Sequence, residues 1–459
     1  MNKREQLKRP IKFFASATVI VLLTSIYMYV WYHFYNETGV KYFVRGNYVI
    51  IGLYAVLLTA FYGIYGGFKL GRARIFDLLY SQILAILTVN IITYLQLCLI
   101  CRWQFMTNTT PLLLMTVVEA VAILLWTLLV SHFSKKLYPP EKLLVIYGKF
   151  RLDVLLAKLA SRPDKFDVQE TISANEDFEY LKEKVLGYKS ILLADIPSEV
   201  RNKLLKHCFE NDIRCYSVPK IPDIMIMAAE NMHLFDTSLL LFRNHGLTLD
   251  QRFVKRTFDI LVSLTALLVF SPFMVIIAIA IKLYDGGPVF YTQDRLTRNH
   301  ETFQVYKFRS MRVAPPDAEV CMTRKNDDRI TPVGKIIRNT HFDELPQLFN
   351  ILKGDMSVVG PRPERPEIAE KYYSNIPEFA YRLKVKGGLT GYAQIYGKYN
   401  TTPYDKLKLD LTYIEKYSFL LDLKLILLTI KVLFQNEDVV GIDANQTTAA
   451  NHEQESANK

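Results

Sequence analysis

The chain has 459 residues, half of them apolar and 13% aromatic, with a formal net charge of +11. That length suits two or three domains, and the apolar share with a positive mean hydropathy points to a membrane protein. The charge fits an anionic lipid surface or phosphate-bearing substrates; nucleic acid is set aside, because no basic-aromatic module or zinc finger accompanies it.

The five cysteines form no framework of spacings, and the Cys98–Cys101 pair has neither a second pair nor a nearby histidine, so no metal or redox role follows. The first apolar run continues past Val30 without a small-residue cleavage site, so no cleavable signal peptide is expected. Four apolar stretches of spanning length fall at about 13–35, 47–67, 76–101 and 111–133. Lys3, Arg4, Lys8, Arg9 and Lys12 precede the first, Lys69, Arg72 and Arg74 separate the second and third, and Lys135 and Lys136 follow the fourth. Both ends of the bundle are therefore expected in the cytoplasm. Glu119 lies inside the fourth stretch, where an acid needs a polar partner or an interior-facing site.

Residues 141–218 alternate strand and helix patterns, which predicts a small parallel sheet wound in the Rossmann manner. The first strand ends in Gly148-Lys149-Phe150-Arg151-Leu152-Asp153, and two of the three glycines of a dinucleotide fingerprint are missing. A structural or regulatory domain is expected rather than a bound NAD. The apolar run from Phe258 to Tyr284 is broken at its middle by Ser271-Pro272 and flanked on both sides by basic residues, Lys255 and Arg256 before it and Lys282 and Arg295 after. The residues from Tyr404 to Phe434 mix apolar side chains with lysines, as in segments that coat a core or lie at an interface, and the polar tail at 437–459 reads as disordered.

The densest chemistry lies at 327–363. Thr331-Pro332 reads as a helix cap and first residue, with Val333, Ile336 and Ile337 on one face of a short helix carrying Arg338 toward Asp343 and Glu344. A second helix is expected to start at Asp343 and stop at Lys353-Gly354. At such a helix start the dipole and unpaired backbone N–H groups favour an ionised carboxylate available as a nucleophile, although Pro346 has no N–H to offer.

The run Asp343-Glu344-Leu345-Pro346-Gln347-Leu348 follows Arg338 and Thr340. It precedes Gly354-Asp355-Met356-Ser357 and Gly360-Pro361-Arg362-Pro363. In that order these motifs resemble the signature of the bacterial sugar transferase family, the polyprenyl-phosphate hexose-1-phosphate transferases that begin glycan assembly on a lipid carrier. The resemblance runs from roughly Lys255 to Phe434. Gly387 to Gln394 resembles the family's KPGLTGWAQ stretch, with Gly388 where proline is usual and Tyr392 where tryptophan or leucine is common. Lys398 replaces a frequent arginine, and Thr297 and His300 stand where the family usually has glycine.

The resemblance implies a membrane protein in four parts: a four-helix transmembrane bundle at 1–138, a degenerate Rossmann-like α/β domain at 139–250, an α-rich catalytic domain at 251–436 with a re-entrant membrane helix at 258–284 turning at Ser271 and Pro272, and the tail. A hairpin that enters and leaves by the cytoplasmic face would keep the catalytic domain with its nucleotide-activated donor. The implied reaction moves a sugar-1-phosphate from a nucleotide diphosphosugar to undecaprenyl phosphate in the bacterial inner membrane. Asp343 would form a phosphosugar ester that the lipid phosphate attacks, and Glu344 would bind Mg²⁺ or position groups; which acid of Asp343 and Glu344 holds the metal stays open. Substrate contacts would come from Lys307, Arg309, Arg338, Pro361 and Arg362, and from Thr390, Gly391 and Gln394 in a stretch whose backbone N–H groups could cradle phosphate. Asp259 reads either as a partner of an active-site base or as an ordinary first-turn acid. The sugar stays open, and large family members make a homodimer one expectation.

Other classes fit less well. A metal-dependent glycosyltransferase would be expected to show an Asp-x-Asp pair, which the chain lacks, and a nucleotide-sugar dehydratase needs the missing glycine fingerprint. A non-catalytic scaffold of polysaccharide assembly would tolerate the loss of Asp343 or Glu344, and both are present. A phosphotransferase with a different donor or lipid is the remaining alternative.

Overall fold

The computed structural model describes residues 3–36, 44–71, 73–100, 109–137, 139–148, 152–242, 246–312, 329–397 and 401–433. Cys101, residues 149–151, Lys398 and the tail at 437–459 lie outside the described residues. The chain divides into two compact units, Met1–Pro219 and Lys220–Lys459.

The first unit opens with α1 (Lys3–Val30), which continues as a π-helical turn to Tyr35, α2 (Val44–Tyr65), α3 (Ile75–Ile100) and α4 (Thr110–Leu137). All four are long and apolar enough to cross a membrane, which makes this a multi-pass membrane protein. α1 lies against α2 and α4, and α3 against the same two, so the helices close into a ring. Asn47, Gln82, Asn90, Glu119 and Thr127 turn inward, as hydrocarbon favours for groups this polar. Glu119 is fully buried, and its partners are neutral: Tyr54 Oη donates to Oε1 at 2.6 Å and Asn90 Nδ2 to Oε2 at 2.8 Å. Thr127 donates to Gln82 at 2.7 Å and Trp31 to Asn47 at 3.0 Å in the same interior.

Next, β1 (Glu141–Tyr147), α5 (Leu152–Ala160), β2 (Phe166–Ser173), α6 (Phe178–Leu186), β3 (Ser190–Ala194), α7 (Ser198–Glu210) and β4 (Arg214–Ser217) build the expected sheet, all parallel, in the order β2-β1-β3-β4. Residues Leu143 to Ile146 are all buried because both faces are covered. Leu144 and Ile146 meet α6 and α7, whereas Leu143 and Val145 meet α5. At the end of β1 a side chain on Gly148 would collide with the Asp195 backbone. The strand ends therefore close on each other where a nucleotide fold opens its crevice.

The second unit begins with α8 (Ile221–Ala228) and an antiparallel hairpin, β5 (Glu230–Leu234) and β6 (Thr237–Leu241), whose strand residues are all exposed. Ile221, Ile224 and Leu247 already pack in this unit's core, ahead of the boundary at 251 drawn from the sequence. α9 (Leu249–Asp285) is a fifth helix long and apolar enough for a membrane. It stays helical through Ser271-Pro272, where the sequence suggested a break. Proline orphans the Leu268 carbonyl, and the Ser271 hydroxyl donates to that oxygen at 3.2 Å. β7 (Phe290–Leu296) pairs antiparallel with β8 (Thr302–Phe308). After α10 (Pro332–Asn339), α11 (Gln347–Lys353), β9 (Ser357–Val359) and α12 (Pro366–Asn375) come β10 (Gly388–Thr390), parallel to β9, then α13 (Tyr392–Tyr396), α14 (Pro403–Glu415) and α15 (Phe419–Leu433).

Replacing Glu119 with alanine removes both interhelical hydrogen bonds, so the detergent-solubilised protein should lose about 1–2 kcal/mol and melt several degrees lower. Glu119→Gln should retain most of that stability. An alanine variant melting with the wild type would show that the pair of bonds contributes nothing.

Candidate active site

Thr331 caps α10 by accepting from Gly334 N–H at 2.9 Å, with Pro332 as first residue, as the sequence predicts. The buried face differs. Gly334 lies against the Ser310 backbone, where any side chain would collide, so the helix turns Val333, Gly334 and Ile337 inward and leaves Ile336 exposed.

Past α10 the backbone turns through His341, left-handed at φ 56°, into a 3-10 turn over Phe342–Glu344. The α-helix starts only at Gln347, so the expected helix start at Asp343 is corrected. Neither acid sits where a helix dipole would hold it ionised. Burial instead pushes the Asp343 carboxyl above its ordinary value, and the Glu344 charge adds to this, against the opposing charges of Lys307, Arg338 and His341. Among the described residues the Asp343 carboxylate has no hydrogen-bond or ion-pair partner, and it is only half-buried.

Glu344 is the opposite case. Lys307 Nζ on β8 donates to its Oε1 at 2.6 Å, and Arg362 Nη2 donates to the same oxygen at 2.8 Å. Burial would raise this carboxyl, but the Arg362 and Lys307 charges outweigh burial and hold it far below the usual range. Phe342 packs against Phe270 and Phe273, either side of Pro272 on α9, with ring centroids 6.0 and 6.2 Å away. Sequence reasoning missed Asn350. It is fully buried on α11, where its amide donates to the Gln304 carbonyl at 2.7 Å and accepts from Tyr306 N–H at 2.9 Å, fixing the strand that carries Lys307. The available signal was an asparagine inside an apolar helical stripe.

The other candidates divide. Arg338 is close enough to act on the Asp343 charge. Arg309 is buried and ion-paired with Asp285 at the end of α9. Pro361 accepts from Gly388 N–H at 2.9 Å, and Gly360 N–H donates to the Thr390 carbonyl at 2.8 Å. The glycine-rich stretch thus spends Gly388 N–H on backing the Pro361-Arg362 loop. Thr390 shares a hydrogen bond with Thr429 at 2.6 Å, Gly391 packs against the Gly360 carbonyl, and Gln394 donates to the Leu389 carbonyl at 3.1 Å. Asp259 accepts from Ser357 Oγ at 3.0 Å and Val358 N–H at 2.9 Å, tying α9 to β9.

Behind Arg362, Glu364 is ion-paired with Lys406 and with Arg382. Burial would raise the Glu364 carboxyl, but the Lys406 and Arg382 charges bring it to about 2, below its ordinary 4.5. A carboxyl depressed on folding stabilises fully above its unfolded value, and that contribution is lost as pH falls from about 4.5 toward 2. The melting temperature of the wild type should therefore exceed that of Glu364→Gln at neutral pH, with the gap closing as pH falls through this window. A constant gap would mean that the charge of Glu364 contributes nothing.

Residues 250–436 match the family described as bacterial sugar transferase. Over 237 residues the chain is 35% identical to a UDP-N-acetylgalactosamine-undecaprenyl-phosphate N-acetylgalactosaminephosphotransferase of Aeromonas hydrophila, covering 50% of this chain and 55% of that protein. It is 45% identical over 188 residues to a UDP-glucose:undecaprenyl-phosphate glucose-1-phosphate transferase of Klebsiella pneumoniae, covering 40% of each. In these two the match spans about half of the relative's length or less. A protein of Caulobacter vibrioides with the same description as the Klebsiella one is 36% identical over 189 residues, 40% of this chain and 71% of its own length. Both acids, Lys307 and Arg362 lie inside the matched region, and the chain belongs to the bacterial sugar transferase family.

Proposed function

We propose that the protein transfers a sugar-1-phosphate from a UDP-linked sugar to undecaprenyl phosphate, the opening step of a polysaccharide assembled on lipid. The observation that carries this reading is the contrast between the two acids: Asp343 without a partner, beside Glu344 held by Lys307 and Arg362. An Asp343 carboxylate oxygen attacks the phosphorus that bears the sugar. A carboxyl-phosphate bond forms, the phosphoanhydride bond breaks, and UMP leaves with the bonding pair. The lipid phosphate oxygen then attacks the same phosphorus, giving the polyprenyl diphosphate sugar and freeing Asp343. Lys307, Arg338 and Arg362 supply positive charge to the diphosphate, and Glu344 fixes Lys307 and Arg362 in place.

Among the described residues no three His, Cys, Asp or Glu side chains gather to hold a metal. Two adjacent carboxylates nevertheless fit Mg²⁺, which keeps several waters and uses one or two carboxylates with substrate phosphate oxygens. Asp343 and Glu344 would hold it, and it would supply charge neutralisation at the diphosphate.

The cytoplasmic placement of the catalytic unit is supported by the basic flanks at Lys69 and Arg74 and by α9. Near its start, Lys255 Nζ donates to Asp422 at 2.6 Å; its middle meets Phe342, and Asp285 at its end pairs with Arg309. Start, middle and end thus pack on one globular unit, as expected of a helix that returns to the face it entered and unlike one that crosses. The donor sugar is not fixed by the relatives, whose descriptions name both glucose and N-acetylgalactosamine.

Detergent-purified full-length protein with Mg²⁺, undecaprenyl phosphate and a panel of UDP-sugars should release UMP from one donor, and Asp343→Asn should lower the rate by about three orders of magnitude or more. Without lipid, a burst of about one UMP per enzyme should report the covalent intermediate. Silence across the panel from folded protein would sink the reading for UDP donors.

A further inference from the structure

The loop from Pro361 to Glu364 carries Arg362 to Glu344, and with proline at 361 and 363 it has few N–H groups to hold it. It is held through its carbonyls instead. Gly388 N–H donates to Pro361 O at 2.9 Å, Arg382 Nη2 to Arg362 O at 2.9 Å, Arg295 Nη1 to Pro363 O at 3.0 Å and Leu296 N–H to Glu364 O at 2.9 Å. Four successive carbonyls are satisfied from three segments, the end of β7, the turn holding Arg382 and β10, and Arg382 supplies the one on Arg362 itself.

Arg382 is only 3% exposed and is anchored on its other sides. Nη2 forms an ion pair with Asp410 on α14 at 2.8 Å, Nη1 bonds Glu364 at 3.3 Å, and the guanidinium lies 4.8 Å from the centre of the Phe379 ring. Glu364 is also bound by Lys406. One planar guanidinium therefore fixes the Arg362 backbone against α14 and against the loop's own acid.

We propose that Arg382 is a positioning residue that sets the Arg362 backbone so that its guanidinium meets Glu344 and the donor diphosphate. This rests on the reading above that Arg362 works on the diphosphate. A lysine keeps the charge but cannot reach Asp410, Glu364 and the Arg362 carbonyl together from one fork.

The test is a double-mutant cycle on the full chain, with kcat and KM measured for wild type, Arg382→Lys, Arg362→Ala and the double variant. Arg382→Lys should lower kcat/KM about 10- to 100-fold, as losing a residue that orients a site group typically does. In the Arg362→Ala background the same change should cost little. An equal loss in both backgrounds would overturn the proposal in favour of general destabilisation. Asp410→Asn, which removes the anchor and keeps the arginine, should repeat the non-additivity if Arg382→Lys folds poorly. A structure of the Arg382→Lys or Asp410→Asn variant gives a readout apart from turnover: Arg362 displaced from Glu344 supports the proposal, and Arg362 still bonded there overturns it. An inactive wild type would count against the proposed reaction, while that structural comparison would still decide the role of Arg382.

Discussion

One carboxylate oxygen of Glu344 accepts a lysine from β8 and an arginine from the loop after β9, and the catalytic unit is arranged to let those chain segments meet. Without the acid, Lys307 and Arg362 would repel each other at close range. With it, three cations, Lys307, Arg338 and Arg362, face two acids, which leaves an excess of positive charge around the turn. The neighbouring Asp343 is spared the same fate. It feels the cations without bonding them, so its oxygens stay available. Two adjacent acids on one 3-10 turn thereby sit in different environments, because only one of them bonds the cations.

Each partner in that contact is itself held from behind. The amide of Asn350 seats the strand bearing Lys307 on α11, and Asp259 on the apolar helix α9 seats β9, which leads directly into Gly360-Pro361-Arg362. The same helix touches the acid turn through Phe270 and Phe273. The long apolar helix is thus part of the scaffold of the site, and a shift of α9 against the unit would move both the acids and Arg362.

Much of this was legible in the sequence because it rests on local physics. The apolar runs give the long helices, alternation gives the parallel sheet, and Thr331-Pro332 and Lys353-Gly354 mark helix ends through capping and a left-handed stop. Glu344, Lys307 and Arg362 were named from motifs. What the sequence concealed is set by tertiary packing. Nothing local tells that Arg309 is claimed by Asp285, that the glycine-rich stretch backs Pro361, or that Gly334 turns its helix against Ser310 and leaves Ile336 outside. The acid turn was misread because Asp343 and Pro346 resemble a helix start, whereas the left-handed His341 commits the chain to a tighter turn first.

The loop between β7 and β8 holds a left-handed backbone without glycine. Asn299 and His300 are both left-handed, at φ 59° and 63°, while Thr297 before them is extended. Asparagine and histidine are among the side chains least opposed to that region, so the cost is modest. Contacts that glycine could not make offset it. Thr297 Oγ1 donates to the Asp355 carbonyl at 2.9 Å, and the His300 ring meets Tyr373 edge to face with centroids 6.0 Å apart. Leu296, the last residue of β7, holds the Glu364 carbonyl through its N–H, and Arg295 beside it holds the Pro363 carbonyl, so the strand end next to this loop reaches the Arg362 loop. The left-handed backbone of this loop is thus held by side-chain contacts, next to the strand end that backs the Arg362 loop.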